Sequence, residues 1–202
     1  MYTVVDIETT GLSKSYHRIT EIAAAKVRNG EIVESYQTLV NPQSSIPAFI
    51  TRLTGISNSM VRDAPTISRV LPSFVDFLGK DVFVAHNAAF DFGFLEHNCK
   101  QQGWELTSSR LCTRKLANRL YPELERKRLS DLCSHLNIKN IQAHRAMGDV
   151  QATAQVFRNM LLDLEKRGIK EVPEVLKFEK SQVGREWRQL YPKVKVNAIN
   201  PG

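Results

Sequence analysis

The sequence predicts an α/β domain: a mixed sheet, built from an antiparallel hairpin plus parallel strands, flanked by helices. Three observations carry this expectation. Residues 2–7 (YTVVDI) form a short apolar run that reads as a buried strand. Two longer runs, 19–28 and 31–40, meet at Asn29-Gly30, the strongest short-range hairpin signal. After them, stretches of helical period alternate with one more short apolar run, Val82-Phe83-Val84-Ala85.

Taken in order, the first strand is broken by Thr9-Thr10-Gly11, and Ser13–His17 reads as a loop. Asn41-Pro42 ends the second hairpin strand, and a loop rich in Pro and Ser leads to Leu53-Thr54-Gly55-Ile56. Residues 66–78 place Ile67, Val70, Leu71, Phe74, Val75 and Leu78 at helical spacing, although Pro72 weakens the first half. Val82–Ala85 is expected to be a strand buried on both faces, followed by a helix at about 89–102. Two short helices, 112–120 and 129–136, are separated by Pro122. Residues 149–165 carry Val150, Thr153, Ala154, Val156, Phe157, Leu161 and Leu164 on one face and predict an amphipathic helix. Beyond Gly168 the rhythm weakens, although 172–178 and 187–191 could dock. The division expected is a domain at 1–167 and a basic C-terminal tail at 168–202, partly helical or a linker.

With 202 residues the chain can bury one full core. A composition of 42% hydrophobic and 24% charged residues excludes disorder and fibrous repeats. No apolar run approaches the roughly 20 residues of a membrane span, so no membrane partner is expected. Cys99, Cys112 and Cys133 cannot all pair and lack CxxC spacing, and no leader precedes the first strand, so reduced thiols and a cytoplasmic location are expected. The net charge of +7 is concentrated at the end: residues 166–202 hold nine of the 28 Lys and Arg but only four of the 21 acids. That distribution fits a nucleic-acid partner.

Chemistry enters with Asp6-Ile7-Glu8. Strand residues two apart point to one face, so both carboxylates can hold one cation between them. Asp163-Leu164-Glu165 has the same spacing, but on a helix those residues diverge and form a solvated face. Two further clusters, His86…Asp91 and His144…Asp149, each place an aspartate five residues after a histidine, near a helix start. Either aspartate could serve as a cap or dipole partner. Together with Asp6 and Glu8 they could form an all-oxygen pocket for two divalent cations, Mg²⁺ or Mn²⁺ in preference to Zn²⁺. The shared interval does not choose a catalytic base between His86 and His144. A buried strand end suits a fixed structural histidine, and a loop suits one that approaches a water and then sheds a proton.

Val5-Asp6-Ile7-Glu8-Thr9-Thr10-Gly11-Leu12, His86-Asn87-Ala-Ala-Phe90-Asp91 and His144-Arg-Ala-Met-Gly-Asp149 resemble the three motifs of the DEDDh 3′–5′ exonucleases. The likeness is to the proofreading epsilon subunits of bacterial DNA polymerase III and their stand-alone relatives. It covers about residues 2–162, with Leu53–Ile56 and Leu129–Leu132 as further landmarks. The resemblance implies an RNase H-like fold and a two-metal mechanism. Asp6, Glu8, Asp91 and Asp149 would be the metal ligands, and His144 the general base. Thr9, Gly11 and Leu12 would lie against the terminal nucleotide, with His86, Asn87 and Phe90 in support. Gly148 departs from the expected acidic or bulkier residue and would leave the His144 loop more mobile.

The function expected is release of nucleoside 5′-monophosphates from single-stranded DNA 3′ ends, in proofreading or repair. Two alternatives stand beside it: an exonuclease trimming RNA 3′ ends, and a catalytically silent module that binds nucleic acid or a DNA polymerase subunit. The basic tail, with Trp187 and Tyr191, could add such binding.

Overall fold

A computed structural model describes residues 1–140 and 143–181; Trp187 and Tyr191, and the part of the basic tail that carries them, lie outside the described residues. Five strands form one sheet in the order β3-β2-β1-β4-β5. The strands are β1 (Tyr2–Thr9), β2 (Ile19–Arg28), β3 (Glu31–Leu39), β4 (Val82–Ala85) and β5 (Arg110–Cys112). β1 pairs antiparallel with β2, and β2 with β3, whereas β4 and β5 run parallel to β1. This is the mixed RNase H-like sheet that was expected, with helices on both sides. At the hairpin tip Asn29 and Gly30 both take positive φ, 53° and 80°, as a two-residue turn with the twist of its strands demands.

The period-2 alternation of β1 divides the core into two layers. Val4 faces the layer that contains α5 (Thr113–Leu120), α6 (Leu129–His135), α7 (Ala146–Glu165) and α8 (Val172–Lys180). Val5 and Ile7 face the layer under α3 (Ile67–Leu78) and α4 (Ala89–Gln101). Asp6 and Glu8 therefore share the face of Val4, the one that α7 covers. Across the strand pair, Ala23 and Ala25 of β2 offer α7 small side chains, so the helix can seat Val150, Ala154 and Phe157 closely against the sheet.

Several boundaries differ from the sequence expectation. β1 continues through Thr9, and its register with β2 shifts between Glu8 and Thr9. The kink thus falls at the acidic pair, where bulges commonly re-aim side chains. Residues 110 and 111, outside any expected element, form β5 together with Cys112, and the helix predicted from 112 begins at 113. Three residues led by Arg110 give too little alternation to be recognised; pairing with β4 makes them a strand. Two short helices, α1 (Ala48–Thr54) and α2 (Asn58–Val61), occupy the expected loop and close a small cluster of Ile46, Ile50, Ile56 and Val61. α3 runs unbroken through Pro72. The carbonyl that this proline leaves unpaired belongs to exposed Ser68, while Val70, Leu71, Phe74 and Leu78 bury the opposite face. α7 starts at Ala146, three residues before the expected start. α8 places Val175 and Phe178 in the same core layer as α5 and α7. Lys115 of α5 pairs at 3.6 Å with buried Glu179 of α8.

A candidate metal-binding active site

Three carboxylates from opposite ends of the chain meet on the α7 face of the sheet. Asp6 and Glu8 of β1 and Asp149 in the first turn of α7 bring oxygens within 4.8 Å of one another. Asp91, in the first turn of α4, is the fourth acid expected, and it lies beside this trio without belonging to it. It is buried, and its Oδ1 accepts the Ile7 N–H at 3.2 Å. That N–H lies beyond the last residue that β4 pairs, Val4, so the Asp91 side chain supplies the acceptor that a longer strand would have given.

The electrostatics are those of like charges crowded out of water. Burial pushes Asp6 well above the ordinary carboxylate range, and the charges of Asp91, Asp149, Glu8 and Glu21 add to this. Burial, followed by Asp149, Glu21 and Asp91, pushes Glu8 up to about 8. Burial raises Asp91 to about 7, against the lowering effect of its backbone hydrogen bonds. An oxygen-only acidic set of this kind fits a hard divalent cation, which would neutralise the carboxylates and supply the ligand geometry that they lack alone.

Asp149 is held by two donors. Asn140 Nδ2 reaches its Oδ1 at 2.7 Å, and the His144 backbone N–H reaches its Oδ2 at 3.1 Å. His144 sits at φ 64°, exposed, in the segment that leads into α7. His86, at the end of β4, is different. Its Nδ1 lies 3.0 Å from the Thr113 hydroxyl, and burial lowers its pKa to about 4, so it is a neutral ring joining β4 to α5. Asn87, at φ 73°, makes the left-handed turn into α4 that asparagine tolerates. Phe90 packs on Phe94 with centroids 5.0 Å apart. The Thr9 hydroxyl donates to the Gly11 carbonyl at 2.6 Å and shapes the turn after β1. Leu12 projects from that turn and is 85% exposed.

Two residues that the sequence reading did not single out complete the site. Glu21 lies opposite Glu8 in the β1–β2 register and is buried. Its carboxylate takes Arg145 Nη2 at 2.9 Å and Nε at 3.2 Å, the Ala146 N–H at 3.1 Å and Gln37 Nε2 at 3.0 Å. Burial alone would raise its pKa, but these donors, Arg145 first, hold it below the ordinary value. The result is a clamp from β2 onto the residues immediately after His144. A signal for it was present: an acid between Thr20 and Ile22 in a strand buried on both faces needs partners.

Comparison with known proteins follows the same lines. The exonuclease family model (RNase_T) matches residues 3–157. The PolC-type DNA polymerase III of Caldanaerobacter subterraneus is 45% identical over 174 residues, which are 86% of this chain and 12% of that protein. The PolC-type enzyme of Bacillus subtilis is 41% identical over 170 residues, 83% and 12% of the two chains. The chain therefore spans about an eighth of the length of these relatives. Among solved structures, exonuclease X in complex with 5′ overhanging duplex DNA superposes with a TM-score of 0.73 at 28% identity, covering 89% of this chain and 99% of that one. The nuclease domain of 3′hExo, a DEDDh family member bound to rAMP, superposes with a TM-score of 0.69 at 21% identity, over 80% and 92%, and shares the fold.

Proposed function

We propose that this chain, which belongs to the RNase_T exonuclease family, is a 3′–5′ exonuclease of the DEDDh type that releases nucleoside 5′-monophosphates stepwise from single-stranded DNA 3′ ends. The observation that carries this reading is the meeting of Asp6, Glu8 and Asp149 within 4.8 Å, with Asp91 beside them. These four residues would hold two divalent cations, Mg²⁺ or Mn²⁺. Such ions supply Lewis acidity at the phosphate and charge for the departing 3′-oxygen.

The remaining work falls to side chains. His144 takes the proton of the attacking water on a ring nitrogen and passes it to solvent. Its exposure lets the proton leave, and its backbone bond to Asp149 keeps it beside the acids. Leu12 and the turn built by Thr9 and Gly11 face the terminal nucleotide. His86, Asn87 and Phe90 hold the β4–α4 corner that presents Asp91. Identity with PolC-type relatives supports a place beside a DNA polymerase, removing mispaired 3′ ends.

The test is digestion of a 5′-labelled single-stranded oligonucleotide with Mg²⁺, run beside a matched RNA and a duplex with a mismatched 3′ end. Stepwise shortening of the DNA, lost in Asp6→Ala, is the expected result. Undiminished shortening in that variant would refute the ligand assignment, and faster RNA loss would move the substrate class to RNA.

A further inference from the structure

Leu12 and Tyr16 are the two most exposed large hydrophobic side chains among the described residues, at 85% and 84%; the next, Phe49, reaches 59%. Both stand on the loop of residues 10–18, which leaves β1 after Thr9, one residue beyond Glu8. Large exposed apolar groups placed together usually mark a contact surface.

This loop is ordered by its own bonds. The Thr10 N–H donates to the Arg18 carbonyl at 2.8 Å, and the Arg18 N–H donates back to Thr10 Oγ1 at 3.0 Å, closing the base. The Tyr16 and His17 N–H groups converge on the Ser13 carbonyl at 3.1 and 2.7 Å, and the Ser13 N–H donates to His17 Nδ1 at 3.1 Å. The His17 ring fills the space beside Gly11, where a Cβ would stand 2.3 Å from the ring. With the interior occupied by His17, the Tyr16 side chain is held out in solvent.

The charge on the loop is of one sign. No acid occurs between Glu8 and Glu21, while Lys14 and Arg18 are both exposed cations. Lys14 lies over the first turns of α4: its Nζ is 3.7 Å from the point where a Cβ on Gly93 would sit, two residues beyond Asp91. The loop therefore reaches from the end of β1 to the helix that carries Asp91. A pre-ordered aromatic flanked by cations matches unpaired nucleotides, whose bases stack on aromatic faces and whose phosphates take Lys and Arg.

We propose that the 10–18 loop is a platform for the single-stranded nucleic acid that trails the reacting 3′ end, with Tyr16 stacking on a base and Lys14 and Arg18 meeting phosphates. This deepens the exonuclease reading and rests on it. Pre-ordering matters because a loop already fixed loses little further freedom on binding.

The test compares thymidine oligonucleotides of two and eight residues. The gain in kcat/KM on lengthening dT2 to dT8 should shrink in Tyr16→Ala by about 5- to 150-fold, the range of one lost stacking contact. Tyr16→Phe should keep that gain, because the ring face remains. Lys14→Ala combined with Arg18→Ala should weaken dT8 binding, read by fluorescence anisotropy in chelator, and flatten its salt dependence by a slope of roughly 1.4. Equal effects of Tyr16→Ala on dT2 and dT8, or none on either, overturn the proposal and leave this face to a protein partner. If the wild type digests neither oligonucleotide, the exonuclease reading fails, and dT8 anisotropy on Tyr16→Ala still decides whether the loop binds nucleic acid.

Discussion

Asp6 and Glu8 ride on the central strand of the sheet, with β2 paired along its whole length and both core layers packed on its flanks. Asp149 and His144 arrive instead at the start of α7, where hydrogen bonds join Asn140 and His144 to Asp149, and Ala146 to Glu21. One half of the site is set by packing and strand register, the other by a few polar contacts. The first kind of support is stiff and spread over many neighbours. The second is concentrated, so single substitutions can loosen it. A strand thus suits the proposed ligands, which must hold a fixed spacing, and a polar clamp suits the proposed base, which must move a proton and let it go.

The largest effect should come from breaking the stiff half. Asp6→Ala or Glu8→Ala should lower kcat beyond the roughly 10⁴-fold ceiling of general-base assistance, because charge at the phosphate is lost. Quenched-flow digestion of a labelled oligonucleotide measures this; a loss under tenfold would show that the β1 pair is not central. Next, His144→Ala should cost about 10²–10⁴-fold in kcat with Mg²⁺ affinity preserved. An unchanged rate would move the base role elsewhere.

The clamp sharpens the comparison. Arg145→Ala should lower kcat by about 10- to 100-fold through misplacement of the segment after His144. It should also cost about 2–3 kcal/mol of stability, less than a fully buried broken pair because Arg145 is 35% exposed. Arg145→Lys, which keeps the charge but loses the fork, should recover stability more fully than rate. Equal recovery of both would make the clamp a matter of folding alone.

The smallest effect is on the pH dependence of melting without metal. Glu8 is pushed up to about 8, so the folded chain holds that proton more tightly than the unfolded chain does. The associated stability is fully present below its ordinary value of 4.5 and is lost as pH rises through 8. Chelated protein should therefore melt lower at pH 8.5 than at pH 5.5, by a few degrees on a scale of about 2–4 °C per kcal/mol. Glu8→Gln should flatten the slope; a steeper fall in that variant contradicts the picture.

Much of this was legible in the chain. The apolar run of β1, the Asn29-Gly30 turn and the helical period after Asp149 are local signals, and they located the strand, the hairpin and the helix that bear the acids. β5 was not legible, because three residues become a strand only when Phe83, Val84 and Ala85 pair with them. The run of α3 through Pro72 depended on which face would be buried. The Glu21–Arg145 clamp spans 124 positions, and nothing near either residue announces the other. The turn of Asp91 toward the Ile7 N–H likewise follows from where β4 stops.

The distance along the chain between Glu8 and Asp149 has a further meaning for the cell. The two halves meet only after α7 docks on β1 and β2, and such long-range closure comes late in assembly. A ribosome-bound fragment that ends before α7 has Asp6 and Glu8 on their strand and Asp91 beside them, but lacks Asp149. With the proposed ligand set, the full acidic cluster would therefore be complete only once α7 has docked.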